Sequence, residues 1–224
     1  MRKTQRFAAV GILAALTVAL AACGGSEQPA AGGAMAAPPA PMSAAPAAAD
    51  GATTNADVFG PACGKLPQGD APGSLNDMGP QPVASAASTN PLLTTLVTAV
   101  TAVPGLPDTL NSQKGITVFA PYNGAFDEAK SAMGDEAFSA LLADQQQLGG
   151  LLSYHVIPKR YDAEGLVEAG KVTELAGGDV TIGGTAAAPT VTDGRGNTAN
   201  VLCGNIPTSN ATVFVIDKVL MPAG

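Results

Sequence analysis

The sequence predicts an α+β domain, and three observations carry that expectation. Apolar residues recur at helical spacing through most of the stretch from Leu92 to Leu152. After Lys171 the period falls to two, and short runs are separated by Gly177-Gly178, Gly183-Gly184 and Asp193-Gly194. Within the helical part, Ile116 to Ala120 alternates like a buried strand, and Pro121 stops it just before a helix with an apolar stripe at Phe126, Ala129 and Met133. Helices first and strands last argue α+β and not an alternating α/β sheet.

The chain opens on a positive segment, Arg2-Lys3-Thr4-Gln5-Arg6, followed by an apolar run from Phe7 to Ala19. That run is short of the roughly 20 residues a spanning helix needs and has the dimensions of an export signal. Leu20-Ala21-Ala22-Cys23 resembles the lipobox of bacterial lipoproteins, in which the cysteine thiol takes diacylglycerol and becomes the new N-terminus. This assigns 1–22 to a lipoprotein-type signal peptide and Cys23 to lipidation, with the membrane as the first partner. Two acyl chains at about 0.8 kcal/mol per buried CH₂ would hold the chain there. From 23 to 57 the composition is Ala, Pro, Gly and Ser, with Pro29, Pro38, Pro39, Pro41 and Pro46 breaking any alanine helix. It reads as a disordered tether, reaching on the order of 100 Å if extended as polyproline.

The 224 residues carry three cysteines, one histidine and a formal charge of −7. Removing the leader takes away Arg2, Lys3 and Arg6 and no acid, so the mature chain is more negative still. No basic cluster exists, and a phosphate backbone would be repelled, so nucleic acid is excluded as a partner. With Cys23 assigned to lipid, Cys63 and Cys203 remain. In an exported chain they allow one disulfide, closing a loop of about 140 residues; the alternative is a pair of free, buried thiols. Without a C-x-x-C and with one histidine, zinc and thiol-redox sites are not expected.

Residues 58–80 form a lead-in bearing Cys63, with turn chemistry at Gly60-Pro61 and no clear period; 81–224 is the domain. Pro82 to Ser88 opens a short helix. Asn90 caps the next, which places Leu92, Leu93, Leu96, Val97 and Val100 on one face and ends at Pro104 and Pro107, with one more turn at Asp108 to Leu110. Asn123 is placed to cap the helix that carries Phe126. Acids at Asp135 and Glu136 favour a helix start, with Phe138, Leu141 and Leu142 inward. A further helix after Asp144 carries Leu148, Leu151 and Leu152 across the weak pair Gly149-Gly150. Tyr154 to Pro158 reads as a strand, and Asp162 to Ala169 as a helix ended by Gly170. Strands are expected over 171–176, 179–183, 190–192, 198–203 and 212–221.

Three stretches together resemble the fasciclin domain: Thr117-Val118-Phe119-Ala120-Pro121-Tyr122-Asn123-Gly124-Ala125-Phe126, then Leu152-Ser153-Tyr154-His155-Val156, then Ala211 to Leu220. Gly60-Pro61-x-Cys63, Asn90 to Leu96 and Asp108 to Ser112 are similar to actinobacterial antigens of the major secreted immunogenic protein type, one branch of which is lipid-anchored. The resemblance implies a single β-sandwich or wedge with packed helices, placed on the outer face of the cell membrane or in the envelope. It implies no cofactor and no catalysis, and an adhesion or interaction module whose partner is an unnamed protein, glycan or lipid. The alternative function is an envelope protein that binds an apolar small ligand or lipid in a groove between helices and sheet.

In animal members the Tyr-His stretch and an Asp-Ile pair are implicated in receptor binding. Tyr154 and His155 match the first, as possible partner contacts or as a buried, hydrogen-bonded pair joining helix to sheet. Asn205-Ile206 stands where the second would be, without its acid. Gly194-Arg195-Gly196-Asn197-Thr198-Ala199 matches a dinucleotide fingerprint by letter, but between two strands it reads as a hairpin turn. Asn210-Ala211-Thr212 is a glycosylation sequon without meaning in most bacteria. No histidine-rich metal motif, Gly-x-Ser-x-Gly or Ser-x-x-Lys is present.

Overall fold

The computed structural model describes residues 50–223; the leader, Cys23 and the tether up to 49 lie outside them. Within the described residues, eight α-helices and seven strands follow in order, with three short 3₁₀ turns among them. They are α1 (Leu75–Met78), α2 (Val83–Thr89), α3 (Thr94–Ala102), α4 (Leu106–Ser112), β1 (Ile116–Pro121), α5 (Asn123–Met133), α6 (Asp135–Ala143), α7 (Gln145–Ser153), β2 (Val156–Ile157) and α8 (Ala163–Ala169). Five strands close the chain: β3 (Lys171–Thr173), β4 (Asp179–Thr185), β5 (Ala188–Thr192), β6 (Thr198–Pro207) and β7 (Ala211–Ile216). The α+β class holds.

The strands form one sheet in the order β2-β1-β7-β6-β5-β4-β3, in which only β1 and β7 run parallel. Thr117-Val118-Phe119 lies in register against Thr212-Val213-Phe214, so the two phenylalanines sit side by side with ring centroids 6.1 Å apart. All six positions of each strand are buried. Alternation divides them: Ile116, Val118, Ala120, Val213 and Val215 pack under the helices, whereas Phe119, Phe214 and Ile216 join Val180, Val191 and Ala199 in a second core. The two halves of the sheet thus share that second core, which is the wedge.

β6 makes the fold-over possible. It pairs with β5 at Thr198 to Asn200 and with β7 from Val201 onward, and its register slips by one residue twice, between Val201 and Cys203 and between Cys203 and Ile206. Each extra residue turns the strand's faces, so Ala199 and Val201 face the second core while Cys203 and Ile206 face the first. Asn205 sits in the second bulge at φ 56°, a conformation asparagine tolerates, and its Oδ1 accepts from Ala163 N at 2.9 Å at the start of α8.

Several expectations need correction. Residues 50–57, assigned to the tether, are packed on the domain: Thr212 donates its hydroxyl to the Gly51 carbonyl at 2.8 Å, and Asn55–Asp57 forms a capped 3₁₀ turn. Asn123 does not cap its own helix. Tyr122 takes the extended cap position, so Asn123 is the first helical residue and its side chain reaches across. Its Oδ1 accepts from Thr95 N at 3.0 Å and its Nδ2 donates to Pro91 O at 3.0 Å, capping α3 instead. The strand expected over Tyr154 to Pro158 shrinks to Val156–Ile157, because α7 runs through Gly149-Gly150 to Ser153 and turns over Tyr154 and His155. Gly183-Gly184 lies within β4, paired with Thr190 and Pro189, and the hairpin turns beyond it.

Candidate functional site

Tyr154 and His155 come together at the end of α7, where helix, sheet and C-terminal segment meet. Both are buried, at 1% and 3% exposure. The Tyr154 hydroxyl donates to Asp179 O at 3.1 Å and accepts from Gly194 N at 2.8 Å, tying α7 to β4 and to the β5–β6 turn. His155 Nδ1 lies 2.8 Å from Leu151 O, and Nε2 accepts from Leu220 N at 3.0 Å. A nitrogen that accepts a backbone N–H carries no proton, so the ring is the neutral tautomer with Nδ1–H donating. Of the two readings for this pair, the buried, hydrogen-bonded link has the geometry. A partner contact would have almost no surface of either side chain to meet.

Asp193 is the organiser that periodicity could not single out. Its Oδ1 accepts from Arg195 N at 2.9 Å and Asn197 N at 2.8 Å, and its Oδ2 accepts from Met221 N at 3.0 Å. The turn amides that would cradle a phosphate are therefore taken internally, Gly194 N by the Tyr154 hydroxyl, Gly196 N by the Asp193 carbonyl, and Arg195 N and Asn197 N by the carboxylate, and the hairpin reading stands. Glu174, 2% exposed, lies near Tyr154 with neither carboxylate oxygen meeting a donor among the described residues. A strict two-residue period already pointed inward here: Val172 and Glu174 are buried, and Leu175 is 39% exposed. No group of three or more His, Cys, Asp or Glu side chains suited to a metal occurs among the described residues.

These two buried groups set opposed pH dependences. Burial lowers the His155 imidazole to about 4, against the Leu151 carbonyl and the charge of Asp193, which raise it. The folded state then binds fewer protons than the unfolded one between about 4 and 6.5. The stability this contributes is complete above 6.5 and lost as pH falls toward 4, a total of about 3 kcal/mol. Burial pushes the Glu174 carboxyl the other way, up to about 7. Its contribution is complete below about 4.5 and lost as pH rises through 7. Between pH 4.5 and 6.5 the two largely cancel. Thermal melts of Glu174→Gln should therefore uncover a fall in midpoint from pH 7 to pH 5 that the parent lacks; a flat profile in the variant would refute the assignment.

Cys63 and Cys203 are joined as a disulfide, with Cα atoms 5.0 Å apart across 140 residues. The backbone supports the bridge: Gly204 N donates to Phe59 O at 2.8 Å, and Ala62 N to Leu202 O at 2.9 Å. Gly60, at φ 121°, passes so close to the Leu202 carbonyl that no side chain fits there. Beside His155 lies one further feature, a cavity of about 240 Å³ between α2, α3, α4 and the inner face of β1.

The three stretches singled out in the sequence thus lie on β1 with α5, at the end of α7 and on β7, joined through one core. The family description for the fasciclin domain matches residues 91–222. The chain belongs to the fasciclin-domain family. It is 39% identical over 180 residues to the cell surface glycolipoprotein MPB83 of Mycobacterium bovis, covering 75% of this chain and 73% of that one. It is 40% identical over 174 residues to the immunogenic protein MPB70 of the same species, covering 74% and 83%. A FAS1 domain pair from the insect cell adhesion molecule fasciclin I superposes with a TM-score of 0.56 at 16% identity, covering 63% of this chain and 51% of that one. The fasciclin domain here thus spans about half of that two-domain chain and shares its fold.

Proposed function

We propose that this chain is a non-catalytic interaction module held at the bacterial envelope by a lipid on Cys23. The single observation that carries the non-catalytic half is the state of His155. The one histidine of the sequence has both ring nitrogens engaged by backbone and lies 3% exposed, so it is not free to serve as a general base. The envelope half is supported by relatives named as cell surface glycolipoproteins and by the lipobox-like Leu20-Ala21-Ala22-Cys23. The fasciclin scaffold buries its signature residues, so contact with a protein or glycan falls to the surface those residues hold in place.

Chemical cross-linking on intact cells, followed by identification of the captured species, tests the interaction role. A catalytic activity abolished by one Ser or Asp substitution would overturn it. Anchoring is tested separately. Cys23→Ala should move the protein from the membrane to the soluble fraction or leave it at the larger, unprocessed size. A variant retained in the membrane at the size of the parent would rule out the lipid anchor.

A further inference from the structure

The cavity beside His155 has an unusual wall. Its floor is Val118 and Val156 with Leu152 at the end of α7, and its mouth is bordered by Ser88 on α2 and Thr101 on α3, both exposed. The polar side chains that line it are bound inward. Asn111 Oδ1 accepts from Ala84 N at 2.9 Å and its Nδ2 donates to Ser85 Oγ at 3.3 Å. Ser88 Oγ donates to Ser85 O at 2.6 Å, Thr101 Oγ1 donates to Val97 O at 2.9 Å, and both nitrogens of His155 are engaged. A polar ligand would arrive, lose its water and find few groups left to pair with.

The surroundings of the mouth point the same way. No residue between Asp77 and Asp108 carries a charge, in a chain with 29 Lys, Arg, Asp and Glu residues elsewhere taken together. That uncharged stretch is α2, α3 and the start of α4, which are three of the cavity's walls. An apolar molecule could approach here without stripping water from a fixed charge. The volume admits a chain of about eight methylene-sized groups, taking roughly 30 Å³ for each, as for a water.

We propose that this cavity binds one unbranched hydrocarbon chain with an uncharged end near the mouth, of the kind a single-chain amphiphile or a membrane lipid supplies. Apolar wall, satisfied polar groups and uncharged rim all select against a charged metabolite, and a cavity of this size holds one chain and not two. The site is independent of Cys23 and of any protein partner, so its failure leaves the interaction role standing, and the reverse.

The test uses the purified full chain and N-phenyl-1-naphthylamine, an uncharged fluorophore whose emission rises in apolar sites. The chain should bind the dye saturably, and 1-decanol should displace it better than decanoate does. Ala87→Leu and Val100→Phe, which fill the cavity from α2 and α3, should each weaken dye and decanol binding by at least about tenfold. Thr98→Leu on the exposed side of α3 should not. A separate reading needs no variant: decanol should shift the methyl resonances of Val97, Val100, Val118 and Leu152. Transfer of a pyrene-labelled phosphatidylcholine from vesicles to the chain would make a membrane lipid the source, and decanol binding without transfer would make it a free amphiphile. No saturable dye binding, undiminished binding in both filled variants, or methyl shifts confined to other residues would each overturn the proposal.

Discussion

Replacing Cys63 and Cys203 together with serine should lower the unfolding free energy by about 5 kcal/mol, the value loop-closure entropy assigns to a bridge spanning 140 residues. For a domain of this size that is a fall in melting midpoint on the order of 10–20 °C. The bridge is expected to act mainly on the unfolded chain, because other native contacts hold the same segment. Phe59 pairs with Gly204, Ala62 N donates to Leu202 O, and Leu66 lies 3% exposed in the first core, none of which needs the sulfur atoms. Melts of the parent with and without reductant give the same comparison without mutation. Coincident transitions in the two conditions would mean that the lead-in is held by packing alone.

Asn210→Ala should cost about 3–5 kcal/mol, from orphaned backbone groups and not from lost apolar area. Asn210 is 9% exposed in the turn between β6 and β7, and its side chain serves two helices. Oδ1 accepts from Val83 N at 2.8 Å at the first residue of α2. Nδ2 donates to Leu110 O at 2.8 Å and Gln113 O at 2.9 Å at the end of α4. Alanine leaves one donor and two acceptors without partners in the interior. Asn210→Asp separates the roles, since it keeps the acceptor but sets a carboxylate oxygen against two carbonyls. Urea denaturation should find the aspartate variant at least as destabilised as alanine at pH 7, and partly recovered on acidification as the carboxyl regains a proton to donate. Equal stability of all three proteins at pH 7 would show that water replaces the amide at no cost. Both helices wall the cavity, so the alanine variant should also loosen decanol binding.

Much of this was legible without coordinates, and the reason differs by element. The strand at Ile116 and the stripe at Phe126, Ala129 and Met133 are local patterns, set by period and by a proline that cannot donate. Asp144 and Asp162 cap the helices that follow them, where side chain and amide are two or three residues apart. Asn123 and Asn210 show where that reasoning stops. Each caps a helix, but at sequence distances of 28 and 127 residues, which only the packed fold makes short. Glu174 continues the alternation of Val172 just past the end of β3, yet a carboxylate on the inner face runs against every expectation about charge.

The sequence by itself determined the α+β class, the family resemblance and the order of the elements, and it narrowed Cys63 and Cys203 to a bridge or a pair of free thiols, of which the structure has the bridge. The class and the element order rest on periods and caps that act over a few residues, and the family rests on the resemblance of three short stretches. The tertiary structure alone decided that Tyr154 and His155 face inward, that β6 slips twice so that one sheet can fold over two cores, and that α2, α3 and α4 stand off β1 around a cavity. Each of these depends on which distant surfaces meet, and burial is a property of that meeting. A histidine becomes a link and not a contact only when Leu151 and Leu220 arrive on its two sides.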